Sequence, residues 1–158
     1  MDGGSSFNRI LFLLVAVLLL SPFILAAEFD YCDRRGNYPV KVDELQVSPD
    51  PVKSGQPATF TVSASTEKNL SGGKFVVEVS LFGLHIHSES HDLCEETKCP
   101  IAPGKFSLSH SQSLPPFTPP GMYSVKIILR DSKNHQLTCI NFKLKIVFGE
   151  EESLVAES

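Results

Sequence analysis

The 158 residues are 42% hydrophobic, 9% aromatic and 20% charged, too apolar for a disordered polymer and suited to one packed domain. With 18 acidic against 14 basic residues the formal net charge is -4, so there is no basic excess to attract nucleic acid and no such partner is expected. Eleven Pro and ten Gly, with no Trp, fit poorly into a helix bundle, where each Pro breaks the backbone ladder; an all-β fold is the working class.

In chain order, Arg9 precedes an apolar run from Ile10 to Leu20, Ser21-Pro22 interrupts it, and Ala26-Ala27 stand before the acidic start Glu28-Phe29-Asp30. A basic flank, a short apolar stretch and small residues at the cut form a secretory signal peptide, placed over residues 1–27. A membrane anchor is the rival reading. It would need about 20 uninterrupted apolar residues, and Ser21-Pro22 breaks the helix that would supply them. The domain proper is then expected over residues 28–149, in the secretory pathway and bound for the extracellular space or a vacuolar or lysosome-like lumen.

Val40 to Val47 reads as a strand whose alternation changes phase at Asp43-Glu44, the mark of a bulge. After the turn chemistry of Pro49-Asp50-Pro51 and Ser54-Gly55-Gln56-Pro57, Phe60, Val62 and Ala64 alternate with Thr59, Thr61 and Ser63. The period of two marks a strand with one buried face. Asn69-Leu70-Ser71, followed by Gly72-Gly73, is a sequon in an exposed turn and makes Asn69 a glycosylation candidate. Phe75, Val77, Val79 and Leu81 then alternate with Lys74, Val76, Glu78 and Ser80.

His85-Ile86-His87, followed by His91-Asp92, is the cluster most like a metal site, because residues i and i+2 of a strand share a face. A third ligand would have to come from a loop, so a solvated strand end is the expectation and no metal or cofactor is assigned. Ser88, Ser90 and His91 form no acyl-transfer motif, which argues against an enzyme.

Phe106 and Leu108 continue the alternation. The segment Pro115-Pro116-Phe117-Thr118-Pro119-Pro120-Gly121 is a stiff loop carrying a large apolar side chain, Phe117, at its centre. Tyr123, Val125, Ile127 and Leu129 oppose Ser124, Lys126, Ile128 and Arg130, and after the Asp131-Asn134 turn Ile140, Phe142, Leu144, Ile146 and Phe148 oppose Asn141, Lys143, Lys145 and Val147. Residues 150–158 form an acidic, polar tail expected to be disordered. Six or seven strands of this kind make an immunoglobulin-like two-sheet antiparallel β-sandwich.

Four cysteines, Cys32, Cys94, Cys99 and Cys139, follow the leader, and an even count in an oxidising compartment points to disulfides, with three possible pairings. The short Cys94–Cys99 spacing makes a local clasp the cheapest closure and leaves Cys32 with Cys139. Zinc would need a second close Cys pair, which is lacking.

Tyr31-Cys32, Ser90-His91-Asp92-Leu93-Cys94-Glu95-Glu96-Thr97-Lys98-Cys99-Pro100, Thr118-Pro119-Pro120-Gly121-Met122-Tyr123 and Leu137-Thr138-Cys139 together resemble the ML domain (lipid-recognition) family. The resemblance runs from about Glu28 to Gly149 and is nearest to plant phosphatidylglycerol/phosphatidylinositol transfer proteins. The cholesterol-binding Niemann-Pick type C member is a more distant match, and it carries a further early Cys pair that this chain lacks.

The resemblance implies an apolar cavity between the sheets, so that the inward residues named above (Ala64, Ile140 and Phe148 aside) would line a lipid site with Phe117 at its mouth. It also implies a monomeric, non-enzymatic carrier of a phospholipid or possible sterol that touches membranes transiently. The alternatives are a lipid-presenting partner of a receptor ectodomain and, third, a structural sandwich with a filled core. Cys32→Ser is expected to destabilise more than Cys94→Ser, because the ring it opens spans most of the domain and is worth roughly 4–5 kcal/mol in the chain-entropy account. Thermal melts of the two variants check the order, and non-reducing peptide mapping checks the pairing.

Overall fold

The computed structural model describes residues 3–19 and 26–149. The 150–158 tail and the Ser21-Pro22 break in the leader lie outside them. Helix α1 (Gly3–Leu19) carries the apolar run from Ile10 as far as Leu19, and no helix among the described residues is long and apolar enough to cross a membrane.

The domain is built from β1 (Phe29–Tyr31), β2 (Val40–Ser48), β3 (Val52–Lys53), β4 (Pro57–Thr66), β5 (Gly73–Leu81), β6 (Leu84–Asp92), the single turn α2 (Leu93–Glu96), β7 (Gly104–Ser113), β8 (Gly121–Asp131) and β9 (Gln136–Val147). One sheet runs β1-β9-β8-β5-β6, with β3 added in parallel to β9, and the other runs β2-β4-β7. This is the two-sheet sandwich expected from the alternation, with all other pairings antiparallel.

The expected bulge is present as a register shift between Val42 and Glu44. Nine strands stand among the described residues where six or seven were expected. β1 and β3 are too short for alternation to reveal, and β6 is polar along most of its length because it is an edge strand exposed nearly throughout.

The inward faces meet as one core. Val62, Phe75, Leu108, Tyr123, Val125, Ile127, Leu129, Ile140, Phe142, Leu144 and Ile146 are buried, and Phe60 of one sheet lies 6.2 Å from Phe142 of the other, centroid to centroid. Phe148 departs from the expected alternation. It lies past the end of β9 and is 66% exposed. A second, smaller core sits on the outer face of the larger sheet, where Tyr38 covers Ile128 and Cys139 and stacks on Tyr31 at 5.3 Å.

The disulfides are Cys32–Cys139 and Cys94–Cys99. The first ties the segment before β2 to the outer face of β9, and the second closes the turn that follows β6. Thr138 Oγ1 is buried without a hydrogen-bond partner among the described residues, a cost offset by the packing of its neighbours Leu137 and Ile140.

Ile127 faces the core while Lys126 faces out and pairs with Glu78 at 3.5 Å. Ile127→Asp is therefore expected to cost several kcal/mol and abolish the accumulation of folded protein, since an unpaired carboxylate would be buried. Lys126→Asp, at a half-exposed ion pair, should cost less than about 1 kcal/mol. Folded yield and melting temperature of the two variants distinguish the faces.

Candidate functional site

The two ends of the sandwich differ in how their interior is covered. At one end Phe75, Leu93, Ile101 and Leu70 are almost wholly buried, a backbone bridge joins Leu70 to Ile101, and the Cys94–Cys99 clasp closes over them. Toward the other end the inward side chains Val77, Val79 and Leu81 of β5, together with Phe60, Val47 and Leu114, are only partly covered while still packing on the core. The residues expected to line a lipid thus divide into a sealed half and a loosely covered half, and Phe106, near the sealed end, is also only partly buried.

Several loops converge on the loosely covered end. Ser54 Oγ donates to the Thr118 carbonyl at 2.7 Å, and its backbone N–H donates to Val147 O at 2.9 Å, which joins the 54–57 turn, the proline loop and the end of β9. The Tyr123 hydroxyl donates to Pro119 O at 2.7 Å, and burial pushes this phenol's pKa up. Around this end stand Phe82 (89% exposed), Phe117 (84% exposed), Leu84, Met122 and Phe148, all exposed. Phe117 is at a loop tip, as its flanking prolines predicted.

Phe82 was not singled out by the sequence. Leu81 pairs with Leu84, so Phe82-Gly83 is a two-residue hairpin turn, with φ of 51° at Phe82 and 77° at Gly83. Such turns need positive φ at both central residues and favour Asn-Gly. A bulky, solvent-exposed aromatic in the left-handed region is therefore held against both its backbone preference and its hydrophobicity. The signal was available as Phe-Gly between two alternating runs, but β6 is too polar to be recognised as the second run.

The long edges differ as well. Along one, Tyr31 Oη accepts from Val42 N at 2.9 Å and Ala27 N donates to Leu45 O at 2.7 Å, so hydrogen bonds to the β2 backbone stitch the sheets. Along the other, β6 and β7 approach through side chains. His87, Glu89 and His91 oppose the inward positions Val79, Val77 and Phe75, and His110 opposes Phe60.

His91 and His110 lie ring to ring at 4.5 Å, Glu89 receives His87 Nε2 at 2.6 Å and His91 Nε2 at 3.1 Å, and Glu96 of α2 receives His110 Nδ1 at 3.1 Å. Burial pushes the Glu89 carboxyl up, but the hydrogen bonds from His87 and His91 and their charge outweigh it and hold it below the ordinary glutamate value. His85 and His87 do not share a face as i and i+2 spacing predicted. A bulge at Val79/Ser80 sets His87 against inward Val79 and His85 against outward Ser80.

A recess of about 1070 Å³ lies on the outward side of β8 and β9, bordered by Phe29, Asp30, Ser124 and Lys143. Of the expected lipid-lining residues only Phe142 borders it. Asn69 is exposed in the loop before β5.

Because Asn tolerates the left-handed region that strains Phe, Phe82→Asn is expected to raise stability by about 0.5–1 kcal/mol. Chemical denaturation without membranes measures it.

Residues 26–146 match the model of one protein family, the ML domain. The MD-2-related lipid-recognition protein ROSY1 of Arabidopsis thaliana is 32% identical over 148 residues, 89% of this chain and 91% of that one. A putative phosphatidylglycerol/phosphatidylinositol transfer protein of Dictyostelium discoideum is 29% identical over 119 residues, 73% of this chain and 82% of that one. The crystal structure of a Niemann-Pick type C2 protein from the Japanese carpenter ant has the same fold, with a TM-score of 0.63 over 76% of this chain and 99% of that one at 15% identity.

Proposed function

The chain belongs to the ML-domain family, and from that membership we propose that it holds one phospholipid between its sheets and carries it between membranes without covalent chemistry. Phosphatidylglycerol or phosphatidylinositol is the favoured class, from the names of its relatives. A sterol is the second candidate.

The observation that carries this reading is the coincidence of two features at one end of the sandwich. The inward side chains Val77, Val79 and Leu81 are loosely covered there, and the exposed rings Phe82 and Phe117 stand on two of the loops at that end. Acyl chains would enter at that end and spread the half of the core that is least tightly packed. Each buried methylene is worth about 0.8 kcal/mol, so a dozen offset roughly 10 kcal/mol of lost bilayer contact. Pocket and bilayer then nearly balance, and near-balance is what lets a carrier both load and release.

Phe82 and Phe117 touch the bilayer during that exchange. Exposed aromatics with Leu84 and Met122 beside them form an apolar tip that water disfavours and an interface accepts. The protein acts as a monomer in the secretory pathway, in keeping with its two disulfides. Removal of the leader leaves Ala27 or Glu28 at the N-terminus; the hydrogen bond from Ala27 N to Leu45 O favours keeping Ala27, and N-terminal sequencing decides it. Asn69, exposed before β5, carries the glycan, which a mobility shift with a glycosidase would reveal.

Transfer of fluorescent phosphatidylglycerol and phosphatidylinositol between vesicles tests the proposal. Phe117→Ala and Phe82→Asn are each expected to slow transfer per folded molecule roughly 3- to 10-fold, losses of about 1 kcal/mol, with melting temperature little changed for Phe117→Ala. Native mass spectrometry should show one bound phospholipid. A lipid-free mass after incubation with vesicles would overturn the carrier reading. Unchanged lipid content with tight binding to a receptor ectodomain through the same tip would favour the lipid-presenting alternative.

A further inference from the structure

We propose that Glu89, His91 and His110 form a divalent-cation site, suited to zinc, that clips the edge of one sheet to the edge of the other. β6 closes the larger sheet and β7 the smaller, and no backbone pairing joins them. One ligand atom from each of the three residues lies within 4.8 Å of the other two.

The chemistry of the set is specific. Two imidazoles and one carboxylate suit zinc rather than calcium or magnesium, which take oxygen ligands. Ligands bound at about 2.0–2.1 Å in a tetrahedron stand roughly 3.3 Å apart, and His91 Nε2 already lies 3.1 Å from Glu89 Oε2. His110, only 7% exposed, has its Nδ1 held by Glu96 at 3.1 Å. A carboxylate there accepts a hydrogen bond from Nδ1–H, fixes the ring and leaves the Nε2 lone pair for a metal, as is usual for zinc-bound histidine. His87 holds the other oxygen of Glu89 at 2.6 Å. The cluster is more exposed on its His87 side, which leaves a fourth position for water or an anionic oxygen.

The clip supplies what this edge lacks. The opposite edge is stitched by hydrogen bonds to the β2 backbone, whereas here two tilted imidazole rings meet across the gap and the hydrogen bond to the β7 backbone, from Thr97 Oγ1 to Ser107 O, comes from the residue after α2 and not from β6. A cation would bind the sheets together and cancel charge on two half-buried carboxylates.

The test uses untagged, chelator-treated protein with the leader removed, titrated with zinc by calorimetry and with cobalt by visible absorption. One saturable site per chain is expected, with the intense bands of four- or five-coordinate cobalt and a rise in melting temperature of roughly 10 °C at a hundred-fold excess of zinc over Kd. Glu89→Gln and His91→Gln should each weaken binding at least 10-fold, and Glu96→Gln, one shell out, 10- to 100-fold. His85→Gln, on the other face of β6, should change nothing. Glu89 and His91 are partly exposed, so these variants fold where a change at buried His110 would not. Equal zinc affinity in the Glu89→Gln/His91→Gln double variant and the unaltered protein, or no saturable binding by millimolar zinc, would overturn the proposal.

Discussion

The whole domain depends on burying one face of each sheet against the other. β8 and β9 lie at the centre of the larger sheet, and their inward residues, from Tyr123 to Leu129 and from Ile140 to Ile146, are buried along their full length. Because side chains alternate across a strand, a slip of one residue would exchange Ile127 for Lys126 and put a charge into the core. That penalty sets the register of β8, and through it the registers of β5 and β9. The smaller sheet has three strands and cannot cover six evenly, so its edge strand β7 meets β5 and β6 only through α2 and side chains.

This unequal cover produces the asymmetry on which the proposed carrier function rests. One end is tight because a backbone bridge, a disulfide and Leu93 converge there. At the other end the 54–57 turn, the proline loop and the end of β9 are tied to one another by Ser54 while Val77, Val79 and Leu81 beneath are partly open. A fully packed sandwich would gain stability but leave no place for an acyl chain. Phe82 shows the same trade within a single residue: its backbone strain and exposed ring are both unfavourable in water, and the proposed membrane contact would offset the exposure of the ring.

The polar edge follows a different logic. Half-buried carboxylates and imidazoles are tolerated because each Glu has a histidine partner, so desolvation is offset by charge-assisted hydrogen bonds. The same pairing orients the rings, as the proposed cation site requires. Structural polar edges and metal sites begin from the same requirement, that every buried lone pair be satisfied.

Much of the fold was legible in one dimension. Alternation over β4, β5, β8 and β9 is a local consequence of strand geometry, the bulge near Asp43-Glu44 shows as a change of phase, and Cys94–Cys99 are close enough in the chain to find each other. The family could be recognised because the Cys-flanking segments and the proline loop occur in a fixed order. Cys32–Cys139, far apart in sequence, could be paired only because the local clasp left no other partner; the polar edge, which also joins distant residues, was not legible. His110 continues the inward face of β7 beyond Leu108, but only the approach of β6 brings it to His91, and a polar edge strand has no hydrophobic period to announce it. The bulge that separates His85 from His87 follows from pairing with β5, and which half of an apolar face is sealed depends on the loops that cover it. Local sequence determined which side chains face inward, while the packing of two unequal sheets decided which of them remain accessible and which polar groups meet at the open edge.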